Sequence, residues 1–126
     1  MSDSLARLYR GVLAAKTADP MTSRTARLLR AGRSKMARKL VEEAVEVVID
    51  AVHGRSDALV RESADLLYNL VVLWVASGIH PDRVWTEMER RERLLGIAEK
   101  LPKTVGQEGE AHKVVALERP RARKRR

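Results

Sequence analysis

Cysteine is absent from this 126-residue chain, which excludes disulfides and any thiolate-bound zinc. Its absence also fits a reducing compartment. Phenylalanine is absent too, and aromatic residues make up only 3%, so Leu, Val and Ala must supply the core. No apolar run is long. The longest, Leu70 to Ala76, is far too short to span a bilayer. Met1-Ser2-Asp3-Ser4 carries no apolar stretch of the kind that opens a secretion signal. A cytoplasmic protein with no membrane contact is therefore expected. Strand-like alternation and internal repeats are both missing.

What is present is a chain of one-domain size, 44% apolar and 33% charged, as expected of a folded soluble protein. A helical domain this small buries a modest core, and such domains often complete it by pairing with a second copy. The net charge of +8 raises the possibility of nucleic acid as a partner. Its placement argues otherwise. Residues 103–126 hold eight Lys/Arg against three Glu, leaving only +3 on residues 1–102. We expect a folded domain over 1–102 and a basic, disordered tail over 103–126. The tail could touch RNA non-specifically through its charge.

Five helices are predicted, so the fold class is all-α. The first runs from Ser4 to Ala18, with Leu5, Leu8, Val12 and Ala15 at helical spacing, and stops at Asp19-Pro20. A short second covers Thr25 to Arg30 and ends at Gly32. The third runs from Ser34 to His53 and stops at Gly54. The fourth begins after Ser56, a capping candidate, and ends near Ser77-Gly78. The fifth starts at His80-Pro81-Asp82, with proline at the first helical position.

The third helix carries an unusual polar arc. At about 100° per residue, Lys35, Lys39, Glu42, Glu43, Glu46 and Asp50 fall within an arc of about 100°. The rest of the wheel, from Met36 to Val52, is apolar apart from Arg38, which implies burial against several neighbours. On its own the polar arc could be an ordinary solvated face, with Lys39 pairing with Glu43. The fourth helix changes that balance. Glu62 and Asp65 share one face, Asn69 extends it by a turn, and the surrounding sequence is apolar almost all round. These acids therefore read as embedded in a packed helix, and buried charge is costly unless paired or metal-bound.

The short link from His53 to Asp57 makes the third and fourth helices antiparallel neighbours, with Glu43 and Glu46 opposite Glu62 and Asp65. Four crowded carboxylates repel one another and take up protons, and a divalent cation relieves that repulsion. All-oxygen ligands favour Mg²⁺ or Mn²⁺ over zinc. Lys35 and Lys39, two turns and one turn before Glu43, could then meet phosphates. His53, His80 and His112 are scattered, and Trp74 and Trp85 read as packing residues.

Glu42-Glu43-Ala-Val-Glu46 followed by Glu62-Ser-Ala-Asp65 resembles the EExxE…ExxD signature of the MazG-like all-alpha nucleotide pyrophosphohydrolases. Within that superfamily the chain is most similar to the phosphoribosyl-ATP pyrophosphohydrolases of histidine biosynthesis. Asp19-Pro20, Ser23-Arg-Thr25-Ala-Arg-Leu28 and Gly32 resemble that family's N-terminal substrate segment. Leu66-Leu67-Tyr68-Asn69 resembles its fourth helix and Glu89-Arg90-Arg91 its last. Two positions depart from the usual pattern: Asn69, where many members have His, and Val41, where many have Gly.

The resemblance implies a homodimeric helical bundle that hydrolyses phosphoribosyl-ATP to phosphoribosyl-AMP and pyrophosphate with Mg²⁺. It further implies Glu43, Glu46, Glu62 and Asp65 as metal ligands and Glu42 as a further ligand or the group that orients water. Lys35 and Lys39 would bind phosphate, and Ser23, Thr25 and Asn69 would belong to the substrate pocket. A relative that clears other (d)NTPs would use the same acids with a different pocket.

Overall fold

The computed structural model describes residues 4–95; the basic tail at 103–126 lies outside the described residues. Five helices and no strand occur among them: α1 (Ser4–Ala15), α2 (Arg24–Ala31), α3 (Arg33–Val52), α4 (Ser56–Ala76) and α5 (Pro81–Leu95). The all-α expectation holds. Residues up to Val84 form one compact unit and those from Trp85 a second. The first unit contains α1 to α4 and the opening of α5. No described helix is long and apolar enough to cross a membrane.

The ends of α2 and α3 fall within one residue of expectation, and two other readings fail, each for a local reason. Helix α1 ends at Ala15, not Ala18. Lys16, Thr17 and Ala18 close with bonds three residues back, to Leu13, Ala14 and Ala15, the tightening that precedes a stop. Ser56 does not cap α4. The cap position is Arg55, with no side-chain cap bond, and Ser56 is already helical. Arg55 can occupy that position because the Asp50 carbonyl accepts its amide at 2.9 Å while its own carbonyl accepts from Leu59 at 2.9 Å.

Between α2 and α3 stands one residue, Gly32, at φ +101 and ψ 162. That backbone is open essentially only to glycine, so a sharp corner joins two helices with no loop. Ser23 sets the other end of α2, its Oγ accepting from the Ala26 amide at 3.0 Å, an N-cap that satisfies one of the helix's free donors.

The core gathers Val12 from α1, Met36 from α3 and Val71, Val72 and Val75 from α4, with Leu5, Leu8, Leu28, Leu29 and Trp74 packed around them. It lies toward the C-terminal half of α4. The apolar arc of α3 is not enclosed as expected. Val41, Val45, Val48 and Val52 are exposed, Val52 to 75%, as are Val60 and Leu67 on α4. On both helices these residues lie roughly opposite the acids, at spacings of three, four and seven that form one stripe. Within the first unit no element covers them, because α1 and α2 pack elsewhere on the pair.

Candidate active site

Helices α3 and α4 pack along most of their length, and their acids meet. Ligand oxygens of Glu43, Glu62 and Asp65 lie within 4.8 Å of one another, and those of Glu46, Asp50 and Glu62 do the same. Glu62 belongs to both trios. Three carboxylates at that spacing, all hard oxygen donors, fit Mg²⁺ or Mn²⁺. The strain of crowding is visible in Glu62, whose carboxyl is held above the ordinary glutamate value of 4.5. The largest cause is Glu43, close enough to share a proton with it. Partial desolvation follows, then the charges of Glu43, Asp65 and Asp50.

The acids are less buried than the sequence implied. Asp65 and Glu46 are exposed, and Glu43 and Glu62 are intermediate. Apolar neighbours surround α4 only in its second half, so its first half offers the acids to an open face. Asp50 is the exception. It is buried and bonded to Arg55, whose Nε donates to its Oδ1 at 3.1 Å.

Beside the first trio opens a cavity of about 420 Å³, within the range of small-molecule sites. Three helices line it, each with one face. Helix α3 contributes Lys35, Lys39 and Glu43, helix α4 Asp65, Tyr68 and Asn69, and helix α2 Arg24, Arg27, Leu28 and Ala31. The spacing on α3 is two successive steps of four, so lysines and acid lie in one row.

The remaining candidates are placed as follows. Glu42 stands outside both acid groups, 63% exposed, with its Oε1 3.7 Å from Lys39 Nζ. Ser23 is occupied as the α2 cap. Thr25 shares a 2.6 Å hydrogen bond with the Tyr68 hydroxyl, which ties α2 to α4. Neither Ser23 nor Thr25 lines the cavity; Arg24 and Arg27, from the same segment, do. Asn69 is 4% exposed. Its Nδ2 donates to the Asp65 carbonyl at 2.8 Å, which fixes the amide and supports the turn that carries Asp65. Its Oδ1 is buried with no hydrogen-bond partner among the described residues. His80 serves structure, accepting from the Asp82 amide at 3.0 Å and packing on Tyr9.

Arg24, Arg27 and Asp50 received no role from the sequence. A signal existed for each: Asp50 shares the polar arc of Glu43 and Glu46, and Arg24, Arg27, Leu28 and Ala31 repeat at helical spacing.

Chemically, this is a helical site that sets carboxylates able to hold a divalent cation beside a row of lysines. Comparison with known proteins gives the particular family. The family model described as phosphoribosyl-ATP pyrophosphohydrolase matches residues 5–92, and the chain belongs to that family. A phosphoribosyl-ATP pyrophosphatase 2 from Bradyrhizobium diazoefficiens is 70% identical over 104 residues, covering 82% of this chain and 78% of the relative. A protein of the same name from Rhodopseudomonas palustris is 67% identical over 104 residues, covering 82% and 79%. A phosphoribosyl-ATP pyrophosphatase from Gluconobacter oxydans is 52% identical over 96 residues, covering 76% and 72%.

Proposed function

We propose that this protein is a cytoplasmic enzyme of histidine biosynthesis that hydrolyses phosphoribosyl-ATP to phosphoribosyl-AMP and pyrophosphate, with Mg²⁺ or Mn²⁺ as cofactor. The observation that carries the proposal is the Glu43–Glu62–Asp65 trio, opening on a cavity that also holds Lys35 and Lys39. Membership of a family whose relatives are named for this substrate supports it.

Glu43, Glu62 and Asp65 would hold the first cation, and Glu46 and Asp50 would join Glu62 as a second set of ligands. A bound divalent cation neutralises triphosphate charge and makes the attacked phosphorus more electrophilic. Lys35 and Lys39 lie in the row leading to Glu43 and so would bind the β and γ phosphates. Water adds at the α phosphorus, the bond from that phosphorus to the bridging oxygen breaks, and pyrophosphate leaves. The water's proton must pass to a base. Glu46, exposed beside Glu62, is better placed for this than Glu42, which turns to Lys39.

The exposed stripe on α3 and α4 supports a homodimer. Six large aliphatic side chains, Val41, Val45, Val48, Val52, Val60 and Leu67, are left in water, and large exposed apolar surface marks an interaction site when it gathers in one patch. A second copy presents the same stripe, so the contact is self-complementary about a two-fold axis.

The test is pyrophosphate release from phosphoribosyl-ATP with Mg²⁺, beside a panel of NTPs and dNTPs, for wild type and Glu46→Gln. Preferred turnover of phosphoribosyl-ATP, lost in the variant, is the expected result. Preference for another nucleotide would overturn the substrate and keep the acid site. Absence of hydrolysis by folded protein would overturn both.

A further inference from the structure

The cavity has two cationic walls, and the proposed reaction uses only one of them. Lys35 and Lys39 stand on α3 in the row that ends at Glu43. Across from them, α2 presents Arg24 and Arg27. Neither arginine pairs with an acid among the described residues. Arg27 donates through one nitrogen to the Pro20 carbonyl at 2.7 Å, which braces its stem and leaves the rest of the guanidinium fork free. The side chain of Arg24 makes no hydrogen bond or ion pair with any described residue.

Two unpaired guanidinium groups three residues apart on one helix face are neighbours. They repel each other, and no acid among the described residues lies within ion-pair distance of either; Glu43 and Asp65 line the same cavity without pairing with them. Leu28 and Ala31, on the same face, contribute no polar atom, so the α2 wall offers an anion guanidinium donors and little else. Guanidinium matches a phosphate monoester with paired donors, which a lysine ammonium cannot do.

We propose that Arg24 and Arg27 form a second phosphate subsite, which takes the phosphate of the substrate's phosphoribosyl group and so distinguishes phosphoribosyl-ATP from ATP. This rests on the proposed substrate. With the triphosphate running along α3 toward the acids, the substituent on the base is the part of the molecule left for the α2 wall. It carries a terminal phosphate dianion, and ATP has nothing equivalent.

Ribose 5-phosphate, the detached end of the substrate, is the probe. It should compete with phosphoribosyl-ATP in wild type. In Arg24→Ala its inhibition constant should rise by roughly ten- to a hundredfold, the effect of losing a charge-assisted pair. KM for phosphoribosyl-ATP should rise by a similar factor with kcat little changed, while the inhibition constant of inorganic tripolyphosphate moves by less than about threefold. Arg27→Lys keeps the charge but removes the fork, and should show an intermediate loss with the same selectivity. Equal losses for tripolyphosphate and ribose 5-phosphate would overturn the inference and assign the arginines to the triphosphate. No loss for either would overturn it as well. Wild type that binds ribose 5-phosphate in an Arg24-dependent way yet does not turn over phosphoribosyl-ATP would sink the proposed reaction and leave the phosphate subsite standing.

Discussion

Asp50 and Arg55 are joined twice across the turn between α3 and α4. The Arg55 amide donates to the Asp50 carbonyl at 2.9 Å, and its Nε donates to the Asp50 carboxylate at 3.1 Å. The pair fixes the turn that brings the two acid-bearing helices together, and it balances a buried charge with a half-exposed one. Arg55→Ala should destabilise the protein by about 1–2 kcal/mol, less than for a fully buried pair because the guanidinium is half in water. Urea denaturation would show this as a lower midpoint. Adding Asp50→Asn to Arg55→Ala should recover part of the loss, since the uncompensated charge goes with it.

The acid site predicts a ranking. Even residues around a metal's own ligands cost ten- to a hundredfold when changed, so Glu43→Gln and Asp65→Asn should lower kcat by at least about a hundredfold. Glu42→Gln should cost less than about tenfold, because Glu42 lies outside both trios. Pyrophosphate release by proteins of unchanged circular dichroism would measure the order. Glu42→Gln as the worst of the three would contradict the geometry.

Glu62 sets a pH dependence. Its carboxyl is raised in the fold, foremost by sharing a proton with Glu43. A raised carboxyl favours the fold while protonated, and that contribution is lost as pH rises through the folded value. Without metal, the melting temperature of wild type relative to Glu62→Gln should therefore fall as pH rises from the ordinary value of 4.5 toward neutrality. Added Mn²⁺ should act in the opposite sense, stabilising wild type only once Glu62 is ionised. Melting curves with and without Mn²⁺ at several pH values would check both slopes.

Val48→Glu places a charge in the middle of the exposed stripe, where the proposed two-fold contact would set it against its own copy. Sedimentation should show the mass fall to that of one chain. An unchanged mass would separate the stripe from self-association.

Much of this was legible in the sequence because helices repeat at a fixed period. The antiparallel α3–α4 pair and the facing of Glu43 with Glu62 and Asp65 follow from spacing and a short link. Other features were not legible, for identifiable reasons. Periodicity marks Val41, Val45 and Val48 as apolar, but not whether this chain or another covers them. The neighbourhood of Ser23 and Thr25 indicated a pocket segment, yet the cap and the Tyr68 bond occupy those hydroxyls and turn the arginines between and after them toward the cavity. Glu42 and Glu43 are adjacent, so their directions differ by about 100°, and only packing decides which one joins Glu62.

Gly32, the one residue between α2 and α3, also constrains how the chain can vary in length. With no loop to take up slack, lengthening α2 by one helical residue before this corner would turn it by about 100° and shift it by about 1.5 Å, carrying Arg24 and Arg27 off the cavity while Lys35, Lys39 and Glu43 stayed in place. The corner therefore acts as a phase lock between two helices. Insertions that most surface connections absorb would here break the alignment of two charged walls before they disturbed the core.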